Sequence, residues 1–192
     1  MNLPLREVTS PQKARLRVED FLLLNDGGAF DGYSKTELID GEIYFMNAQH
    51  SRHARIKTEL AIAIALRLRE LGSDLAPLVE ASTRINADTL PEPDIVVTSY
   101  KGPDVVPLDT VALLIEVADT TLDTDLGRKA DLYASAGVPE YWVVDVIEHR
   151  VLRHAKPRPD GSGYDGQLDV PFGKTLHAAT IAGLSVETAG LG

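Results

Sequence analysis

Asp94 and Glu116 are the residues of this chain best placed to do chemistry, and Lys129 is the cation that goes with them. Both carboxylates interrupt apolar runs that read as adjacent strands, Pro93-Asp94-Ile95-Val96-Val97 and Leu113-Leu114-Ile115-Glu116-Val117. An ionised side chain in a half-buried strand carries a large desolvation cost unless a metal ion, a cation or hydrogen bonds offset it. The compensation that best fits paired carboxylates is a divalent cation. Mg²⁺, with Mn²⁺ as its substitute, takes carboxylate oxygens and shares its other positions with water and substrate phosphate. Lys129 lies one turn after Asp125 on the next predicted helix, so both side chains face one way, toward the carboxylates or toward solvent.

Taken one at a time, these residues have structural readings too. Asp94 equally suits a strand-end residue accepting hydrogen bonds after Pro91-Glu92-Pro93, and Lys129 suits a solvated helix residue paired with Asp125. Glu116 is harder to explain structurally, because its neighbours are uniformly apolar. Glu59, on the long helix, reads as solvated. His50, His149, His154 and His177 lack HExxH or any other metal-ligand spacing. No GxGxxG fingerprint, P-loop or GxSxG elbow is present, which leaves nucleotide-cofactor chemistry and serine hydrolysis unsupported.

The elements that position the candidates follow from periodicity and punctuation. Ser10-Pro11 predicts a helix start, with the helix running to about Leu24 and ending at Asn25-Asp26-Gly27-Gly28. Thr36–Ile39 and Glu42–Met46 flank Asp40-Gly41, a two-residue hairpin turn. Ile56, Leu60, Ala63, Ile64, Leu68 and Leu71 recur at helical spacing and predict a long helix from about Ser51 to Leu71, stopped by Gly72. Strands are predicted around Pro77–Ile85, Asp94–Thr98 and Val111–Ala118. A helix from about Asp125 to Ala136 follows, then a strand over Tyr141–Val146, then a hairpin turning at Asp160-Gly161-Ser162-Gly163. The order is α/β, a mixed sheet flanked by helices. The second and third strands read as antiparallel neighbours, which brings Asp94 and Glu116 together across the sheet.

A length of 192 residues with 44% hydrophobic content suits a single domain. Its segments read as an N-terminal helix and hairpin (1–48), a core (49–147) and a C-terminal β extension (148–192). The absence of cysteine removes disulfides and cysteine-based zinc sites and fits a reducing cytoplasm. No run approaches the ~18–20 apolar residues of a membrane helix, and residues 1–17 lack a signal-peptide core, so an unexported, cytoplasmic protein is expected. The formal net charge of −10 argues against a broad basic face for gripping duplex phosphates, so any nucleic-acid contact must be local, metal-assisted or supplied by a partner.

Four stretches together carry a resemblance. ELIDGEIYFMNAQHSRHARI (37–56), PEPDIVV (91–97), LLIEVAD (113–119) and DLGRKADLYASAGVPEYWVVD (125–145) resemble the Uma-type putative endonuclease family, a branch of the PD-(D/E)XK nuclease superfamily. The resemblance implies a restriction-endonuclease-like core and a metal-dependent phosphodiesterase site. It implies Asp94 and Glu116 as metal ligands and catalytic residues, with Lys129 as the catalytic lysine. The usual superfamily lysine stands two residues after the strand glutamate, where this chain has Ala118. In this branch it moves to the following helix, at the position of Lys129. His53 and Glu80 fall where the family pattern places supporting polar residues. Asp119 stands where the branch usually has serine, which adds a carboxylate near the site.

The function implied is a Mg²⁺-dependent DNA endonuclease. Two other classes remain open on the residues alone: a non-catalytic nucleic-acid or protein binding module that keeps the fold, and a nuclease acting on RNA or on branched nucleic acid. Cutting both strands of a duplex would suit a homodimer, with the hairpin around Asp40-Gly41 or the C-terminal tail as its interface.

Overall fold

A computed structural model describes residues 10–46 and 50–192. Residues 1–9 lie outside the described residues, as do 47–49 within the 37–56 motif. The first helix, α1 (Val18–Asp26), starts later than Ser10-Pro11 suggests. The chain entering the helix is tied to other elements: Leu16 N–H donates to the Gly41 carbonyl and Val18 N–H, at the helix start, to that of Ala87. The helix opens where the Arg17 N–H meets the Asp20 carboxylate at 3.0 Å, closing the first turn.

The hairpin forms as the Asp40-Gly41 dipeptide dictates. Strands β1 (Lys35–Ile39) and β2 (Glu42–Met46) pair antiparallel from Ile39↔Glu42. Asp40 and Gly41 both take left-handed φ, 53° and 75°, as a type I′ turn requires. Asp40 is exposed, but Gly41 is buried under residues 15–16, so the turn is only half available as an interface.

Helix α2 (Ser51–Glu70) buries Ile56, Leu60, Ile64 and Leu68, one stripe at helical spacing. The stripe packs on the sheet. The predicted strand over 77–85 is in fact two pieces, β3 (Ala76–Val79) and β4 (Thr83–Arg84). Glu80 between them adopts φ 52°, which turns the chain out of the sheet. Next come β5 (Ile95–Thr98), β6 (Val106–Pro107), which pairs with β4, and β7 (Val111–Ala118). The helical segment after β7 is composite: α3 (Leu122–Thr124), a π-helical turn (Asp125–Lys129) and α4 (Ala130–Ser135). Strands β8 (Glu140–Asp145), β9 (Arg150–Pro157) and β10 (Tyr164–Pro171) follow, and a small pair, β11 (Thr175–His177) with β12 (Ser185–Glu187), closes the chain.

The central sheet has six strands in the order β10-β9-β8-β7-β5-β3. Only the β7–β8 pair within it is parallel, so the sheet is mixed. Its α2 face buries Ile95, Val97, Leu113, Ile115, Val117 and Trp142, and β12 closes over the same core through Val186. The opposite face buries Val96, Leu114, Ala118, Tyr141 and Val143 beneath Ala130, Tyr133 and Ala134 of α4. Strand β7 is covered on both sides, which is why its sequence reads as an apolar run rather than an alternation. Period-two alternation then puts Glu116 on the α4 face, between Leu114 and Ala118.

Candidate active site

Asp94 stands just before β5 rather than inside it. The antiparallel β5–β7 register, Ile95↔Ile115 and Val96↔Leu114, carries it past the strand end to the neighbourhood of Glu116. The structural and functional readings of Asp94 coexist: its Oδ2 accepts the Val117 N–H at 2.8 Å, which ties the loop to the central strand. The same oxygen lies 3.1 Å from Nε2 of His53, which is buried in the first turn of α2.

Lys129 is buried, not solvated, and it does not pair with Asp125. Its Nζ donates to Glu116 Oε1 at 2.9 Å and to Glu37 Oε1 at 3.2 Å. The Tyr133 hydroxyl donates to the same Glu116 oxygen at 3.1 Å. The π-helical turn that ends at Lys129 makes this possible. Such a turn holds one extra residue per hydrogen-bonded ring and changes the direction in which the side chains of its last turn point. Tyr141 reinforces it by donating to the Asp125 carbonyl at 3.1 Å. The Asp125 carboxylate is buried beside the cluster and accepts from Thr121 Oγ1 at 2.6 Å.

Three charged residues that the sequence reading did not single out complete the cluster. Glu37 on β1 is buried and also accepts the Glu92 N–H at 3.0 Å. Lys35 on β1 holds its ammonium 3.9 Å from Glu37 Oε1 and 3.9 Å from Asp94 Oδ1. Lys57 on α2 lies 3.8 Å from Asp94 Oδ1 and forms a short ion pair with Glu80. Glu80, expected to support the site, donates its backbone N–H to the Asp94 carbonyl at 3.1 Å, while its half-exposed side chain reaches the Asp94 carboxylate only through Lys57. Glu37 carried one faint signal, its place in the 37–56 motif ahead of buried Leu38 and Ile39. Lys57 sits between apolar residues of an amphipathic helix, where a lysine ordinarily points to water.

The electrostatics follow from this packing. Burial works to raise the Asp94 pKa, but His53, Lys35 and the Val117 N–H overcome it and hold the carboxyl well below its ordinary range. Glu116 goes the other way: burial pushes it up to about 8, against the opposing pull of Lys129. Lys129 resists the effect of burial, because Glu116, Glu37 and Asp125 keep its ammonium form favoured well above the usual lysine range. Burial also raises Asp125, opposed by Lys129 and Thr121.

These groups line a cleft of about 880 Å³ whose mouth carries Tyr44, Asp119, Asp123 and Arg128. Arg128 lies over the Tyr44 ring at 4.4 Å and 3.5 Å from Asp40. Among the described residues no three His, Asp or Glu side chains form a ready-made metal cage. A hard cation that keeps most of its waters does not require one. The chemistry of the donors suits such an ion: Asp94, just before β5, and Glu116 on β7 carry carboxylate oxygens, with a bound cation displacing the proton that burial favours on Glu116. The hydrogen bonds to Glu116 from Lys129 and Tyr133 fall on Oε1, and among the described residues none reaches Oε2.

Comparison with known proteins bears on the family and the fold. The model of the Uma2 family, described as "Putative restriction endonuclease", matches residues 18–189. Among solved structures, the chain resembles a putative nuclease belonging to DUF820 from Anabaena variabilis ATCC 29413, with a TM-score of 0.70 at 16% identity over 92% of this chain and 97% of that one. That likeness is one of fold. No match to a curated protein was found. No helix among the described residues is long and apolar enough to cross a membrane.

Proposed function

Because the chain belongs to the Uma2 family of putative restriction endonucleases, we propose that its carboxylate–lysine cleft is the active site of a Mg²⁺-dependent DNA endonuclease. The observation that carries the reading is the convergence of Asp94, Glu116 and Lys129 from three separate elements, with Lys129 Nζ 2.9 Å from Glu116. Asp94 and Glu116 would hold the cation. When bound there, Mg²⁺ or Mn²⁺ supplies polarisation of the scissile phosphate and acidifies the attacking water. Lys129, fixed by Glu116 and Glu37, presents its ammonium beside that position and stabilises the negative charge that gathers on the phosphoryl oxygens. His53 holds Asp94 in its ionised form and so preserves its capacity as a ligand.

Supercoiled plasmid tests the proposal directly. Purified protein with Mg²⁺ or Mn²⁺ should nick it, and Lys129→Met should reduce the rate by about 10²–10³, the usual scale for removing one transition-state donor. Plasmid, linear and single-stranded DNA all left intact at generous enzyme concentration would overturn the reading. The acidic residues Asp119 and Asp123 in the cleft lining favour a second reading, a binding module without cleavage, and a nuclease for RNA or branched substrate stands as the third. Metal-independent binding that is unchanged in Glu116→Gln would select the module. Cleavage confined to RNA or to branched substrates would select the alternative nuclease.

A further inference from the structure

Resting on the metal-site reading above, we infer that Lys35 sets the divalent-cation affinity of the cleft by competing with the cation for the Asp94 carboxylate. Three lysines with little-exposed side chains, Lys35, Lys57 and Lys129, approach the candidate carboxylates in different ways. Lys129 is locked by hydrogen bonds at 2.9 and 3.2 Å. Lys35 sits 3.9 Å from both Glu37 Oε1 and Asp94 Oδ1, too far for a hydrogen bond, so charge alone holds it. Its side chain is only 9% exposed, which keeps the attraction poorly screened. Burial works against its ammonium form, but Glu116, Asp94 and Glu37 together keep that form favoured.

The carboxylates that hold the Lys35 charge in the cleft are the ones that would ligate a cation. Two positive charges attracted to Asp94 Oδ1 repel each other, so the resident ammonium weakens binding of the incoming ion. Among the described residues no hydrogen bond holds the Lys35 ammonium against an incoming ion. Lys35 opens β1, a strand of the two-stranded hairpin and not of the six-stranded sheet that carries Glu116. Lys57 lies equally near, 3.8 Å from the same oxygen, but the Glu80 carboxylate offsets its charge. Glu37 Oε1, the other carboxylate oxygen near Lys35, is already engaged by Lys129 at 3.2 Å, so the competition is assigned to Lys35.

Calorimetric titration of Mn²⁺ and Mg²⁺ into the native chain and into Lys35→Met, Lys35→Arg and Lys57→Met tests this without reference to cleavage. Lys35→Met should bind Mn²⁺ about tenfold more tightly, the scale of removing one partly screened like charge. Lys35→Arg, which keeps the charge, should return the native affinity, and Lys57→Met should shift it less than Lys35→Met does. Lys35→Gln replaces Lys35→Met if the latter does not fold. Native affinity that is unchanged or weakened in Lys35→Met overturns the inference and leaves the metal site standing. Absence of binding in every protein, native included, overturns the metal site itself and the inference with it.

Discussion

Asp94 and Glu116 occupy one cleft yet titrate in opposite directions, and the difference can be measured as stability. Asp94 has a folded pKa below its ordinary 3.8, so it contributes stability that is present above that value and lost as the pH falls through the folded pKa. Asp94→Asn should therefore destabilise the protein at pH 7, and the gap to the native chain should shrink in urea melts taken below pH 4. Glu116 is raised from 4.5 to about 8, so its contribution is fully present below 4.5 and fades as the pH rises through 8. Glu116→Gln should gain on the native chain across that interval, and a gap constant from pH 5 to 8 would contradict the burial argument. At this scale Glu116 stood out because charge in an apolar run demands an explanation, whereas Asp94 and Lys129 stood out only through the wider family pattern. Lys35 and Lys57 did not stand out and Glu37 did so only faintly, since local sequence hardly distinguishes a lysine or glutamate at a surface from one buried by a partner 92 residues away, as Glu37 is by Lys129.

The elements aim these side chains, and two of them give clean tests. The π-helical turn Asp125–Lys129 delivers Lys129 to Glu116, and Gly127 within it has open space around a notional Cβ. Gly127→Ala should raise stability by about 0.5–1 kcal/mol through helix propensity, with the rate of plasmid nicking unchanged. Gly41, in contrast, has φ 75° and would place a Cβ 2.7 Å from Arg15 Cβ. Gly41→Ala should cost about 1–3 kcal/mol and lower the melting temperature, because backbone strain and a clash act together. The hairpin and α2 were readable from Asp40-Gly41 and from the Ile56–Leu68 stripe, both of which are local signals. The break at Glu80, the late start of α1 and the π-helical turn were not, because each is set by where distant backbone groups find their hydrogen bonds. Residues 16 and 18, for instance, answer to residues 41 and 87.

Over the whole molecule, the alternation of apolar strands and helices was enough to give the mixed sheet, and the cleft that Asp94, Glu116 and Lys129 line also holds Lys35 and Glu37, which the sequence did not single out. A net charge of −10 then limits how such a cleft can hold nucleic acid. On the proposed function such a cleft should neutralise few phosphates, so the dependence of log K on log salt should be shallow, with a slope smaller in magnitude than about 3. A slope near that of a broadly basic binder would contradict this picture. The most direct test of the central claim is Mn²⁺ titration by calorimetry of the native chain, Asp94→Asn and Glu116→Gln, with plasmid nicking assayed on the same samples. The account predicts binding and nicking by the native chain and the loss of both in each variant. Nicking that persists in Glu116→Gln, or metal binding indifferent to both substitutions, would contradict it.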